Sequence, residues 1–491
     1  MRKSDPVEAK RMSMRFKQLD ANFFIRIFVA FCAAFIFGIL FTNSLNNVKL
    51  FFLVFLGLLF FPFIFIKSAN FNFILFLIVL FLSAFVMPYR GIDLITLFAF
   101  LIFITRIHVL KVTAQVPRWI NFFLGCFVFT TIFSFFAMSI NSQILENARW
   151  EGAVTYINLL LSIFMFYYTV HVVDNFNKFK YIIYIFSSII LINFVLLISY
   201  FYFPAVFGKL PAFFKYSISP DPSSYMKVVE RRFWGTFKDY ELFAEYLAVN
   251  FFMFLAYLTA RKAKYLNAFV LLMIPVLLFS FVWTKTRGPL FASVIAVLIF
   301  SPSLLRIKKK YLAGLILTVV VAIILGLKFF PNFFDRYVQL VFKTEFRGVV
   351  PDTRQYVWNA VWQHFQANKG TLFLGRGPAH LSFAYFPSPY PHSLYIDILL
   401  RHGILALASF FLFLAAYLIH NRKVSITLFR LRNGYFTFFV LLNLSVWVLL
   451  IDEMKIECTR SPNYEMFFWI YLGIIFAIGK LLIHLNEKIR M

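Results

Sequence analysis

The sequence predicts an all-α integral membrane protein with about fourteen transmembrane helices. Three observations carry this reading. Of 491 residues, 62% are hydrophobic and only 14% charged, with a mean hydropathy of +0.80, whereas soluble domains carry about 25% charged residues. Apolar runs long enough to cross a hydrocarbon core of roughly 30 Å recur along the whole chain. Lysine and arginine gather in alternate connections between those runs, as the positive-inside rule requires.

Residues 1–22 are polar and basic, with Arg2, Lys3, Lys10, Arg11, Arg15 and Lys17, and read as a cytoplasmic segment rather than a cleavable signal. Residues 23–203 hold helices one to seven, near 23–41, 50–66, 71–87, 92–105, 120–139, 152–173 and 180–203. An outer loop, 204–238, follows. Residues 239–330 hold helices eight to eleven, near 239–259, 266–283, 288–305 and 311–330. A second outer loop covers 331–392, and residues 393–485 hold the last three helices, near 393–419, 435–451 and 464–485. Residues 486–491 are the cytoplasmic C-terminus.

With the N-terminus inside, 27 of the 48 lysines and arginines fall in cytoplasmic connections with 5 of the 21 acidic residues. The outer side keeps 21 basic and 16 acidic residues. The net charge of +27 therefore follows from topology, and a nucleic-acid partner is not needed to explain it. The partner is the lipid bilayer. Cys32, Cys126 and Cys458 are too few and too scattered for a disulfide framework or a metal site. No nucleotide-binding loop, zinc spacing or serine elbow occurs, and no cofactor is expected.

A loop as long as 331–392 is uncommon in a compact protein unless it is functional or disordered. This one contains a helix starting at Asp352, a good N-cap after Pro351. Val357, Trp358, Val361, Trp362 and Phe365 recur at helical spacing and predict one apolar stripe, suited to a membrane interface or to packing on other loop segments. Gly370 is expected to follow its end, and Gly375-Arg376-Gly377-Pro378 marks a turn.

Four clusters of reactive residues fall on the outer side. Arg231 and Arg232 precede Gly235-Thr236-Phe237, then Asp239 and Glu241 begin the eighth helix with Glu245 one turn deeper. Carboxylates at a helix start are favoured by its dipole, whereas an acid further into apolar sequence is costly and more often functional. Thr284-Lys285-Thr286-Arg287-Gly288 forms a short outer turn with two cations, which fits interfacial snorkelling or a phosphate-bearing lipid. Arg354 stands in the first turn of the loop helix, where free N–H groups also attract anions. His392 lies where the loop re-enters the membrane, and below it Asp397 and Arg401 have the spacing of an ion pair.

This order resembles the O-antigen ligase and polymerase superfamily: Arg-x-x-Gly-Thr-Phe, Thr-Arg-Gly, Arg354-x-x-x-Trp358, Leu374-Gly375-Arg376-Gly377, and His392-Ser-Leu-Tyr with Gly403 eleven residues on. The likeness covers roughly residues 230–410. It implies a C-type glycosyltransferase fold in the bacterial cytoplasmic membrane, active on the outer face without a metal. A glycan on undecaprenyl diphosphate would pass to a hydroxyl of another glycan, of lipid A–core or of another acceptor. The resemblance implies that Arg287 and Arg354 engage the diphosphate and that His392 is essential, with Arg232, Arg376 and Lys285 as further binding candidates. Chemistry agrees, since guanidinium groups can stabilise the charge developing on a diphosphate leaving group. The proton acceptor is His392, Asp239, Glu241 or Glu245. Ser393 stands where relatives commonly have Asn, and Arg401-His402 where many have an acid before the helix glycine. Helix count and these departures lean towards a polymerase over a ligase.

A lipid-linked oligosaccharide flippase or other transporter is the rival class, and a non-catalytic scaffold a third. Transporters line a midplane cavity with charges and often carry paired repeats. Here the charges sit at helix ends and in loops, and no repeat is visible.

Overall fold

The computed structural model describes residues 69–84, 116–140, 146–203, 233–237, 239–260, 264–284, 286–304, 306, 353–378, 391–431 and 434–490. Residues 1–68 lie outside these. The helices expected near 23–41, 50–66, 92–105 and 311–330 also lie outside the described residues.

Within them the fold is all helical. In chain order the helices are α1 (Ala69–Leu82), α2 (Arg118–Ile140), α3 (Glu146–Val172), α4 (Phe176–Tyr202), α5 (Tyr240–Thr259), α6 (Lys264–Thr284), α7 (Gly288–Leu304), α8 (Thr353–Ala367), α9 (Lys369–Leu374), α10 (Leu394–Arg430), α11 (Phe436–Asp452) and α12 (Pro462–Arg490). Seven are long and apolar enough to cross a membrane, and α1, α7 and α11 are shorter apolar helices. The expected segments in the described regions all fall on these helices.

Burial sorts the helices into centre and rim. The apolar stretch of α5 is 89% buried and that of α12 is 83%, against 28% for α2 and 33% for α6. The rim helices expose Phe122, Phe129, Leu271 and Leu272, which belong in lipid, where no water penalises them. The bundle is built by α12 packing along α3, α5 on α11 and α6, α7 on α11, and α2 along α10. Three buried amides donate within their own helices: Asn193, Asn250 and Asn443 each donate to the carbonyl four residues back at 2.8 Å.

Helix α10 runs to Arg430, past the expected end near 419, because residues 420–430 stay amphipathic. Asn421, Val424 and Leu428 are buried at helical spacing while Arg422 and Lys423 are exposed.

The helix ends fall into two sets. At one end lie the starts of α5, α7, α10 and α12 and the ends of α6 and α11, linked by Phe233 N–H to Trp283 C=O (3.1 Å) and Leu394 N–H to Glu453 C=O (2.9 Å). The other end collects cations against aromatic rings: Lys178 over Phe73, Arg306 over Phe429 and Lys423 over Trp119.

Candidate functional site at one end of the bundle

The Gly-Thr-Phe segment is an anchor. Gly235 has φ +63°, and a Cβ there would meet the Asn193 side chain of α4. Asn193 Oδ1 accepts from Thr236 N–H at 2.6 Å, and Thr236 Oγ1 donates to Ala84 C=O at 2.7 Å. Phe237 is buried against Phe243, Tyr246 and Tyr464. This docking fixes where α5 begins. Asp239 is its N-cap, accepting from Glu241 N–H at 2.8 Å.

The same Asp239 reaches a residue that was not singled out in the sequence. Arg460, on a 3₁₀ turn (Cys458–Arg460) between α11 and α12, donates from Nη1 to Asp239 Oδ2 at 2.6 Å. Its Nη1 is 3.7 Å from Glu241 Oε2, and its Nε and Nη2 reach Glu457 Oε1 at 3.3 and 3.2 Å. Its Nη2 also meets His392 Nδ1 at 2.8 Å. Lys455 adds a second cation, 3.7 Å from Glu241 Oε1.

Burial withdraws hydration from Glu457, whose side chain has no exposed surface, and pushes it up to about 8 despite the pull of Arg460. A carboxyl raised in the folded state contributes stability below its ordinary value near 4.5, and that stability is lost as pH rises towards 8. The midpoint of thermal unfolding in detergent is therefore expected to fall between pH 5 and pH 8. Glu457→Gln should flatten that slope, and an equally steep slope in the variant would refute the assignment.

His392 has φ +56°, a left-handed conformation that a non-glycine residue keeps only when its surroundings impose it. Trp358 of α8 supplies part of that constraint by donating from Nε1 to Pro391 C=O at 2.7 Å. This gives Arg354-x-x-x-Trp358 a physical meaning. Four residues is one helical turn, so Arg354 lies on the face of α8 whose Trp358 holds the histidine turn. The predicted single stripe is corrected here: Val357, Val361 and Phe365 are buried, Val361 and Phe365 against Leu400, while Trp358 and Trp362 are 39% and 59% exposed. Apolar residues one position apart point 100° apart, so one face packs and the next stays open.

Gly370 follows the end of α8 at Ala367, as expected, and lies inside the short helix α9 after a break at Asn368. Beyond α9, Gly375 (φ +75°) and Gly403 (φ +80°) face one another across two backbones. Gly403 breaks α10, and the freed carbonyls find partners in the loop: Arg376 N–H donates to Leu400 C=O and Gly377 N–H to Arg401 C=O, both at 2.9 Å. Ser134 of α2 donates to the same Arg401 carbonyl. The two glycine motifs are thus halves of one contact. Arg376 is held here near His364, which burial and the charge of Arg376 push down. The expected Asp397–Arg401 pair forms at 2.7 Å, fully inside, and Thr459 Oγ1 donates to Asp397 Oδ2 at 2.6 Å.

Arg287, half-buried, stands immediately before α7. The next residue, Gly288, lets α7 approach α11 so closely that a Cβ would lie 2.6 Å from Asp452 Oδ1 and Lys455 Nζ. Contacts therefore link the Arg287 turn through Lys455 and Glu241 to Arg460, and onward to Asp239 and His392. Glu245 lies a turn inside, with no exposure and with Tyr464 O–H donating to its Oε1 at 2.8 Å. Lys285, Arg232 and the side chain of Arg354 lie outside the described residues.

Arg460, Lys455 and Glu457 are not among the residues that the sequence motifs mark. Their signal is the density of charge in 452–465, a short connection that carries Asp452, Glu453, Lys455, Glu457, Arg460 and Glu465.

The fold and this site define a polytopic helical membrane protein with a charged, histidine-bearing centre at one end of its bundle. Residues 268–411, less than a third of the chain, match the O-antigen ligase family, which supports its place in the O-antigen ligase and polymerase superfamily. The matched segment holds Arg287, Gly288, Arg354, Trp358, Gly375, His392 and Gly403, whereas Asp239, Glu241 and Arg460 lie outside it. No curated protein matches the chain.

Proposed function

We propose that this protein is a membrane glycosyltransferase that moves or polymerises glycan from an undecaprenyl-diphosphate donor onto an acceptor hydroxyl, at the outer face of the cytoplasmic membrane. The reading includes about fourteen spans, a C-type fold, both termini in the cytoplasm and the loops 204–238 and 331–392 outside. The observation that supports it is a relay of contacts: Trp358 bonds Pro391 C=O, His392 beside it meets Arg460, and Arg460 connects through Glu241 and Lys455 to Gly288 of the Arg287 turn. The cations that collect at the other end support the orientation.

In the proposed step the bond from the anomeric carbon to a phosphate oxygen breaks, and its electron pair leaves with the diphosphate. Arg287 and Arg354 stabilise that charge, with Arg376, Lys285 and Arg232 as outer contacts for phosphate or glycan. The acceptor oxygen bonds to the carbon, and its proton passes to a carboxylate. Asp239 is favoured, since its side chain is 20% exposed against 10% for Glu241, and Glu245 has none. Guanidinium stabilisation needs no metal, so a chelator should leave the rate unchanged.

Purified protein in detergent, given a polyprenyl-diphosphate glycan and candidate acceptors, tests this. Wild type should transfer sugar, and Arg287→Ala, Arg354→Ala and His392→Ala should each lower kcat/KM by about a hundredfold or more. Full transfer by all three variants would overturn the site.

A further inference from the structure

The contact between Arg460 and His392 determines what the histidine can do. A guanidinium has five N–H donors and no acceptor. Its Nη2 lies 2.8 Å from Nδ1, so Nδ1 must present a lone pair. A neutral imidazole with its lone pair on Nδ1 carries its hydrogen on Nε2. The imidazolium form would set N–H against N–H and cation against cation. Neither Nδ1, which Arg460 occupies, nor Nε2, which holds the hydrogen, is then open to an incoming proton.

This polarity is the reverse of a Ser-His-Asp triad, where a carboxylate takes the Nδ1 hydrogen and leaves Nε2 as the base. Here an arginine stands between carboxylate and imidazole: Asp239 and Glu457 hold Arg460, and Arg460 holds His392. The guanidinium is fixed by the Asp239 carboxylate and the Glu457 carboxyl group, and the ring is fixed by a left-handed backbone that Trp358 helps to impose.

We propose that Arg460 is a positioning residue that locks His392 as the Nε2–H tautomer, so that His392 meets the donor's anionic diphosphate as a hydrogen-bond donor and is not the base. The role assigned to His392 rests on the glycosyl-transfer reading above; the tautomer does not.

The test uses the full chain in detergent with ¹⁵N-labelled histidine, in two-bond ¹H–¹⁵N correlation spectra at neutral pH. The His392 pattern is identified by its loss in His392→Gln. A protonated Nε2 and a bare Nδ1 are expected, with that preference lost in Arg460→Met. An Nδ1–H pattern in wild type, or a folded Arg460→Met protein with an unchanged pattern, overturns the proposal. Should Arg460→Met not fold, two variants of the histidine decide the role. His392→Gln keeps an N–H donor without a base and should retain transfer within about tenfold of wild type, whereas His392→Ala should lose about a hundredfold or more. Glutamine as inactive as alanine would overturn the donor role. A wild-type protein that transfers nothing from any donor would defeat the glycosyl-transfer reading and leave the tautomer result standing.

Discussion

Gly403→Ala is expected to destabilise the protein by about 3 kcal/mol or more, from strain plus lost hydrogen bonds. At φ +80° an L side chain is strained, which costs about 1–3 kcal/mol. The new Cβ would also lie 2.1 Å from Phe373 C=O, a backbone atom that cannot rotate away. Relief requires the loop to move off α10, which gives up the bonds from Arg376 and Gly377 to the Leu400 and Arg401 carbonyls, about 1 kcal/mol each. Gly375→Ala should behave alike, since its Cβ would sit 2.1 Å from Arg401 C=O. The two effects should fall short of adding, because either substitution already parts the same two backbones. Gly125→Ala is the control: it meets nothing within 4 Å in the middle of α2, so the midpoint of thermal unfolding should hold or rise slightly. A Gly403→Ala protein melting with wild type would refute the contact.

That contact shows where sequence reading stops. Leu374-Gly375-Arg376-Gly377 and Gly403 could each be seen as a motif, and the first as a turn. That one exists to receive the other needs a distance, and no periodicity reports distances between segments 28 residues apart. The helices were legible because hydrocarbon demands a long apolar run, and every run in the described regions became a helix. The Trp358 stripe was half legible. Apolar spacing located the helix but could not say that Val361 and Phe365 face Leu400 while Trp362 faces outward, since tryptophan and valine count alike as apolar. Arg460 was lost for another reason. It sits in a connection of ordinary length and carries no motif of its own. The hub makes sense of Asp239, which the sequence left divided between a helix cap and a functional acid. Its Oδ1 caps α5 on Glu241 N–H while its Oδ2 holds Arg460.

Asp397→Ala should be the most damaging single change in α10 that adds no atoms. It takes the acceptor of the Nε bond from Arg401, whose side chain is 3% exposed, while the contact from Nη1 to Pro378 C=O at 3.3 Å remains. Removing one partner of a buried pair costs about 3–5 kcal/mol, because the remaining charge keeps its desolvation penalty without its counterion. Thr459 loses its acceptor in the same step, which loosens the connection that carries Arg460. Transfer should therefore fall along with stability, although Asp397 is not assigned to the diphosphate. Removing both charges separates the two effects. Asp397→Ala combined with Arg401→Leu should recover most of the lost stability, since apolar replacement of a buried pair is often neutral or better. Urea denaturation of the four proteins of this cycle gives the coupling, expected at about 2 kcal/mol or more in favour of the pair or the double replacement. A double variant no more stable than Asp397→Ala alone would mean that Arg401 holds the loop through contacts other than its charge.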